Sequence, residues 1–169
     1  MNALQIKQIL CPTDFDDLST LALEHAVRLA ERTGAHLTML YADRFLPPLE
    51  FTAQETDGVA RSLDAERSNT LRSLQGYVRD HVPAAIPVEA MVAVDDPASA
   101  IAAETARRQV DVVAMGTHGR TGVDRLVVGS VTERVLSETQ VPVLAVRRPP
   151  EGAAPGAARV ARSEPPERR

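Results

Sequence analysis

The 169-residue chain has no tryptophan, three phenylalanines and two tyrosines. So few rings argue against a stacking platform for single-stranded nucleic acid. A single cysteine, Cys11, excludes an intrachain disulfide and any cysteine-built zinc cluster. It closes an apolar run, which suits a small buried hydrophobe. No stretch is apolar over the roughly 20 residues that a membrane helix needs. The N-terminus shows no long apolar core of a signal peptide, and the chain reads as cytoplasmic with no membrane partner. Two phosphate-binding fingerprints are also missing. There is no Gly-Lys-Ser/Thr tripeptide to end a Walker loop, and no G-x-G-x-x-G follows the first apolar run.

Charge is present but unevenly placed. The formal net charge is −4; residues 147–169 hold six Arg and three Glu, or +3, which leaves −7 for residues 1–146. An acidic body is a poor nucleic-acid surface. After Arg148 the composition turns to Pro, Gly, Ala, Arg and Glu without apolar periodicity. The expectation is one folded domain over residues 1–148 and a disordered tail over 149–169.

Within the body, strand-like and helix-like segments alternate. Apolar runs at 6–11, 36–42, 88–94, 110–115 and 141–146 read as five strands. Helical periodicity falls at 18–32, 58–81, 97–108 and 130–138, with residues 43–56, which include Pro47-Pro48, as a long connection. Asp16 or Asp17 can cap the first helix and Gly34 can end it. Asp96-Pro97 marks the third helix start, an N-cap followed by proline at N1. Strands joined through helices pair in parallel with right-handed crossovers. The fold class is therefore α/β, an open doubly wound five-stranded parallel sheet of order 3-2-1-4-5 with helices on both faces. Ligands in such sheets sit beyond the carboxyl ends of the strands, where the order reverses. Strands one and four meet there, carrying Pro12-Thr13-Asp14 and the segment 116–130.

That segment is glycine-rich and joins a strand to a helix start, Ser130-Val-Thr-Glu133. Glycine lets the backbone approach an anion, and a helix start offers unpaired N–H groups and positive dipole. Its pattern is G-x-x-G, nine residues, then G-S. In this form the chain resembles the ATP-binding branch of the universal stress protein family. The resemblance runs over nearly all of 4–148, through Ile9-Leu-Cys-Pro-Thr-Asp-Phe15, Met115-Gly-Thr-His-Gly119, Gly129-Ser-Val-Thr-Glu133 and Val141-Pro-Val-Leu-Ala-Val146. It implies that Asp14 meets the adenosine end of ATP and that the backbone of Ala42 recognises adenine. Gly116 and Gly119 would line the ribose and phosphates. Gly129, Ser130 and the Val131 amide would bind the phosphates, with Mg or Mn as companion cation. Pro12, Thr13 and Met115 complete the implied site. The resemblance also implies a homodimer through the edge strand 141–146. One departure is Asp95-Asp96, where the family often has a small glycine turn; the pair is expected away from the phosphates.

Several residues have a plainer reading. Ser130 and Glu133 match a capping box, S-x-x-E. His118 has no partner at metal-ligand spacing and reads as a loop histidine, while His25 and His36 read as scaffold. Arg120 and Arg125 could clamp a phosphate or simply be solvated. No catalytic residue and no metal ligand can be assigned, because phosphoryl transfer needs a positioned attacking group and neutralised phosphate charge. The leading expectation is an ATP-binding regulator of the stress response with an unidentified protein partner. A slow ATPase or phosphotransferase and a nucleotide-free interaction protein are the alternatives.

Overall fold

A computed structural model describes residues 5–43, 53–117 and 128–147. Nine elements follow in order: β1 (Gln8–Pro12), α1 (Asp17–Thr33), β2 (His36–Asp43), α2 (Ala53–His81), β3 (Val88–Val94), α3 (Pro97–Arg107), β4 (Val112–Gly116), α4 (Ser130–Glu138) and β5 (Val143–Val146). The strands form one sheet of order β3-β2-β1-β4-β5, and every pairing is parallel. The expected architecture is the observed one.

Parity along the strands divides the core into two layers. Ile9, Cys11, Leu37, Met39, Val112 and Ala114 face α1 and α2. Leu10, Leu40, Val113 and Met115 face α3 and α4. The central strand is buried on both sides, which is why it reads as a continuous apolar run. On α1 the row Ala22, Ala26 and Ala30 is buried with Leu23 and Val27, so small residues bring the helix close to the sheet. Fully burying one leucine of this kind contributes about 1.5–3 kcal/mol.

Local signals set most helix ends. The Asp16 carboxylate accepts from the Ser19 amide at 2.6 Å, and Gly34 leaves α1 at φ +72°. Asp96 caps α3 through the Ser99 amide at 3.2 Å. The structure moves several other boundaries. Helix α2 begins at Ala53 instead of 58, because Ala, Gln and Glu favour helix and one internal glycine costs only about 1 kcal/mol. Ladder pairing of β1 starts at Gln8, since the Lys7 and Gln8 amides donate to the Asp111 carboxylate at 2.7 and 2.9 Å. Val110 stays outside β4 because its amide bonds back to Thr105. Strand β5 starts at Val143, after Pro142, which lacks an N–H for the ladder.

One expectation is corrected. Ser130 is not the N-cap of α4 and does not form a capping box with Glu133. The cap is Gly129, and no side chain among the described residues caps this helix. The Glu133 amide bonds to the Gly129 carbonyl at 2.9 Å, so the helix opens one residue earlier than S-x-x-E implies. Tertiary bonds to β4, described below, fix that position.

Candidate functional site

The strand order reverses between β1 and β4, whose carboxyl ends lie side by side. Ile9 is opposite Val112 and Leu10 opposite Val113. The same register, continued by two residues, sets Pro12 opposite Met115. On the other flank Pro12 pairs with Leu40, and the Thr13 amide donates to the Leu40 carbonyl at 2.9 Å. That bond is the last rung before β1 leaves the sheet. Strand β2 continues through Ala42, two residues beyond Leu40. In a parallel strand the N–H and C=O of alternate residues point to the same side. Ala42 therefore directs its backbone groups toward the space that β1 has vacated.

Beyond β1 the chain is tightly determined. Thr13 is buried; its hydroxyl accepts from the Phe15 amide at 3.0 Å and lies 3.1 Å from the Ser19 hydroxyl. The Asp14 carboxylate accepts from the Asp16 amide at 3.3 Å. Asp16, not Asp14, caps α1. Between them Phe15 sits at φ +64°, in the left-handed region. A non-glycine residue there costs roughly 1–2 kcal/mol and persists only where its surroundings impose it. The Phe15 ring meets Tyr41 at 5.2 Å and Tyr77 edge-on at 5.4 Å. The Tyr77 hydroxyl lies 2.7 Å from that of Thr20. Burial raises the Tyr77 phenol above its ordinary value, partly offset by that bond.

At β4 the start of α4 is stapled to the strand end. The Gly129 amide donates to the Thr117 carbonyl at 2.6 Å, and the buried Thr132 hydroxyl donates to the Gly116 carbonyl at 3.0 Å. The Thr117 amide in turn donates to Val146 of β5 at 3.0 Å. Gly129, Ser130 and Val131 are thus held beside Gly116. The amides of a helix's first turn have no carbonyl within the helix, and glycine supplies no side-chain acceptor. This first turn can accept an anion.

Gly116 has a second, purely structural constraint. A Cβ added there would lie 2.9 Å from Leu18 Cγ and 3.3 Å from the Leu18 carbonyl carbon. Its bareness lets α1 pack onto β4, whatever ligand it meets.

Asp95 is exposed, whereas Asp96 reaches toward α4. Its carboxylate accepts from Arg134 of α4 at 2.5 Å, and Arg134 also donates to Ser99 at 3.2 Å and to Glu138 at 2.9 Å. Asp96 thus ties the start of α3 to the middle of α4. Among the described residues no group of His, Cys, Asp and Glu is placed to hold a metal ion. Cys11 is fully buried, and burial pushes its thiol up to about 12, so it is inert in the native fold.

The structure therefore gathers Pro12, Thr13, Asp14, Ala42, Met115, Gly116, Gly129, Ser130 and Val131 at one end of the sheet. Gly119, with His118, Arg120, Gly122 and Arg125, lies outside the described residues, as do Pro47, Pro48 and the segment 149–169. Sequence reasoning missed Phe15, Tyr41, Tyr77, Thr132 and Arg134. Only Thr132 carried a signal, as a hydroxyl residue in the first turn of α4.

Comparison with known proteins agrees with the fold. The family model described as the universal stress protein family matches residues 5–147. The universal stress protein MJ0531 of Methanocaldococcus jannaschii is 28% identical over 144 residues, which cover 85% of this chain and 83% of that one. The structure of universal stress protein UspA from Lactobacillus plantarum matches with a TM-score of 0.67 at 25% identity, over 86% of this chain and 100% of that one. A universal stress protein solved in complex with cAMP shares the fold, with a TM-score of 0.60 at 19% identity, over 85% of this chain and 98% of the other. No described helix is long and apolar enough to cross a membrane. The matched region runs from before β1 through the end of β5 and includes both strand-end motifs, so the chain belongs to the universal stress protein family.

Proposed function

We propose that this chain binds ATP at the carboxyl ends of β1, β2 and β4 and acts as a nucleotide-dependent regulator of the stress response. The observation that carries the reading is the start of α4. Its first-turn amides are uncapped by any side chain among the described residues and are fixed beside Gly116 at the point where the strand order reverses. That pairing of helix start and switch point suits a phosphate chain. The backbone of Ala42 and the Asp14 carboxylate suit the donors and acceptors of adenosine. A protein of the same fold holds cAMP, itself an adenine nucleotide.

In this reading Gly129, Ser130 and Val131 take the phosphates, and Gly116 and Gly119 line the ribose and phosphates. Pro12, Thr13 and Met115 form the floor between them. Mg or Mn, when bound, would neutralise phosphate charge from the nucleotide side. The protein works as a homodimer through the edge 141–146. Among the described residues β5 has a strand neighbour on one side only, and its Leu144 is exposed at 38%. Exposed edges of this kind are commonly covered by a two-fold mate.

The test is to denature purified protein, identify any nucleotide released, and titrate the emptied protein with ATP and AMP by calorimetry. Gly129→Leu should lower ATP affinity by about tenfold or more, because side-chain bulk displaces the phosphate from the amides. Circular dichroism checks that the variant is folded. A wild-type protein that neither retains nor binds an adenine nucleotide ends the proposal.

A further inference from the structure

Phe15 is an anomaly that burial alone does not explain. A hydrophobe that merely filled the α1–α2 layer could do so from an ordinary backbone, yet this one is held at φ +64°. Its ring is only partly buried, and with Tyr41 and Tyr77 it lines an open groove of about 770 Å³ along α2. The strain falls between Asp14, the proposed adenosine contact, and Asp16, the cap of α1.

Three separate interactions hold that geometry. The Thr13 hydroxyl takes the Phe15 amide. The Asp16 carboxylate fixes the next turn through the Ser19 amide. The rings of Tyr41 and Tyr77 meet the Phe15 ring on two sides, and Tyr77 is anchored to α1 through Thr20 and stacks at 4.2 Å on His81. Tyr41 immediately precedes Ala42, the proposed adenine contact. The cluster thus connects both proposed adenosine-binding segments to α2.

We infer that Phe15 is a positioning residue for the adenosine end of the site, with its ring clamped by Tyr41 and Tyr77 so that the backbone holds Asp14 and Ala42 in register. This inference rests on the nucleotide reading above. It makes α2 part of the binding apparatus without any contact between α2 and nucleotide.

The chain's two tyrosines, with no tryptophan to mask them, are both in this cluster. Tyrosine fluorescence and near-ultraviolet circular dichroism therefore report on it directly. On titration with ATP, wild type should show a tyrosine signal that saturates with the calorimetric Kd. Phe15→Ala should weaken ATP about tenfold and abolish that signal. Asp14→Asn should also weaken ATP about tenfold, and the double variant should be barely weaker than either single one. Combination with Gly129→Leu should instead multiply the losses, since that end of the site is separate.

Should Phe15→Ala fail to fold, Tyr41→Leu and Tyr77→Leu leave the loop sequence intact and should weaken ATP by about threefold or more. The inference is overturned if a folded Phe15→Ala binds ATP like wild type, or if its loss multiplies with that of Asp14→Asn. It is equally overturned if both tyrosine variants bind normally. Failure of wild type to bind any adenine nucleotide is a different result and refutes the nucleotide reading itself.

Discussion

Gly116→Ala isolates the structural constraint on a glycine that the sequence presents as a ligand residue. The added Cβ would sit 2.9 Å from Leu18 Cγ, the branch point of a buried side chain, and 3.3 Å from the Leu18 carbonyl carbon. Neither atom is the free end of a flexible chain, so α1 must shift or Leu18 must leave its rotamer. Overpacking of this kind costs about 1–3 kcal/mol. Against it stands the reduced entropy of the unfolded chain, about 0.4–1 kcal/mol in favour of alanine. The net expectation is a loss of about 1–2 kcal/mol, or about 2–8 °C in Tm for a chain of this size. Urea unfolding followed by circular dichroism measures it, with an unchanged m-value showing that the two end states are preserved. In a Leu18→Ala background the Cγ contact is gone, and the same alanine should cost less than about 0.5 kcal/mol. Equal or greater stability of Gly116→Ala, or an undiminished cost in the Leu18→Ala background, refutes the packing argument.

Two further outcomes follow from titratable groups away from the site. The Cys11 thiol, pushed up to about 12 by burial, should resist maleimide at pH 8 and react only at the rate set by unfolding. Rapid labelling without denaturant would contradict its place in the core. Glu89 is held below its ordinary 4.5 chiefly by the hydrogen bond from Arg108. For Glu104, burial pulls upward but the bonds from Arg107 and Arg108 outweigh it. Both folded values lie below the unfolded one, so the stabilisation is present above about pH 4.5 and is lost as pH falls through the folded values. Arg108→Gln should lower the urea midpoint at pH 7, with the deficit shrinking on acidification below 4.5. A deficit independent of pH would assign Arg108 a packing effect alone.

The fold was legible because the alternation of strand and helix leaves few choices. Parallel neighbours need crossovers, and the crossovers have one hand. Local chemistry marked the helix ends at Asp16, Gly34 and Asp96, where a single side chain or a bare glycine decides the geometry. The failures share a physical origin. Ser130-Val-Thr-Glu133 satisfies the local rule for a capping box, but the Gly129 amide and the Thr132 hydroxyl are already bound to the end of β4. That tertiary staple starts the helix one residue sooner. Phe15 gave no sign of its left-handed backbone, because the rings that impose it come from β2 and α2. Asp96 was read correctly as a cap, yet its bond to Arg134 spans two helices that no local pattern relates.

These non-local ties bear on how a nucleotide would be held. The proposed contact segments among the described residues are fixed by the fold before any ligand arrives: Asp14 by the Thr13–Ser19 turn and the aromatic clamp, Ala42 by the pairing of its strand with β3, and Gly129 by Thr117. Ordering of a loop or side chain on binding subtracts from affinity, and a preformed wall avoids that cost. The segments so fixed are the two sides of the crevice. At Gly116 the missing side chain serves the packing of α1 against β4, a constraint that holds with or without a ligand.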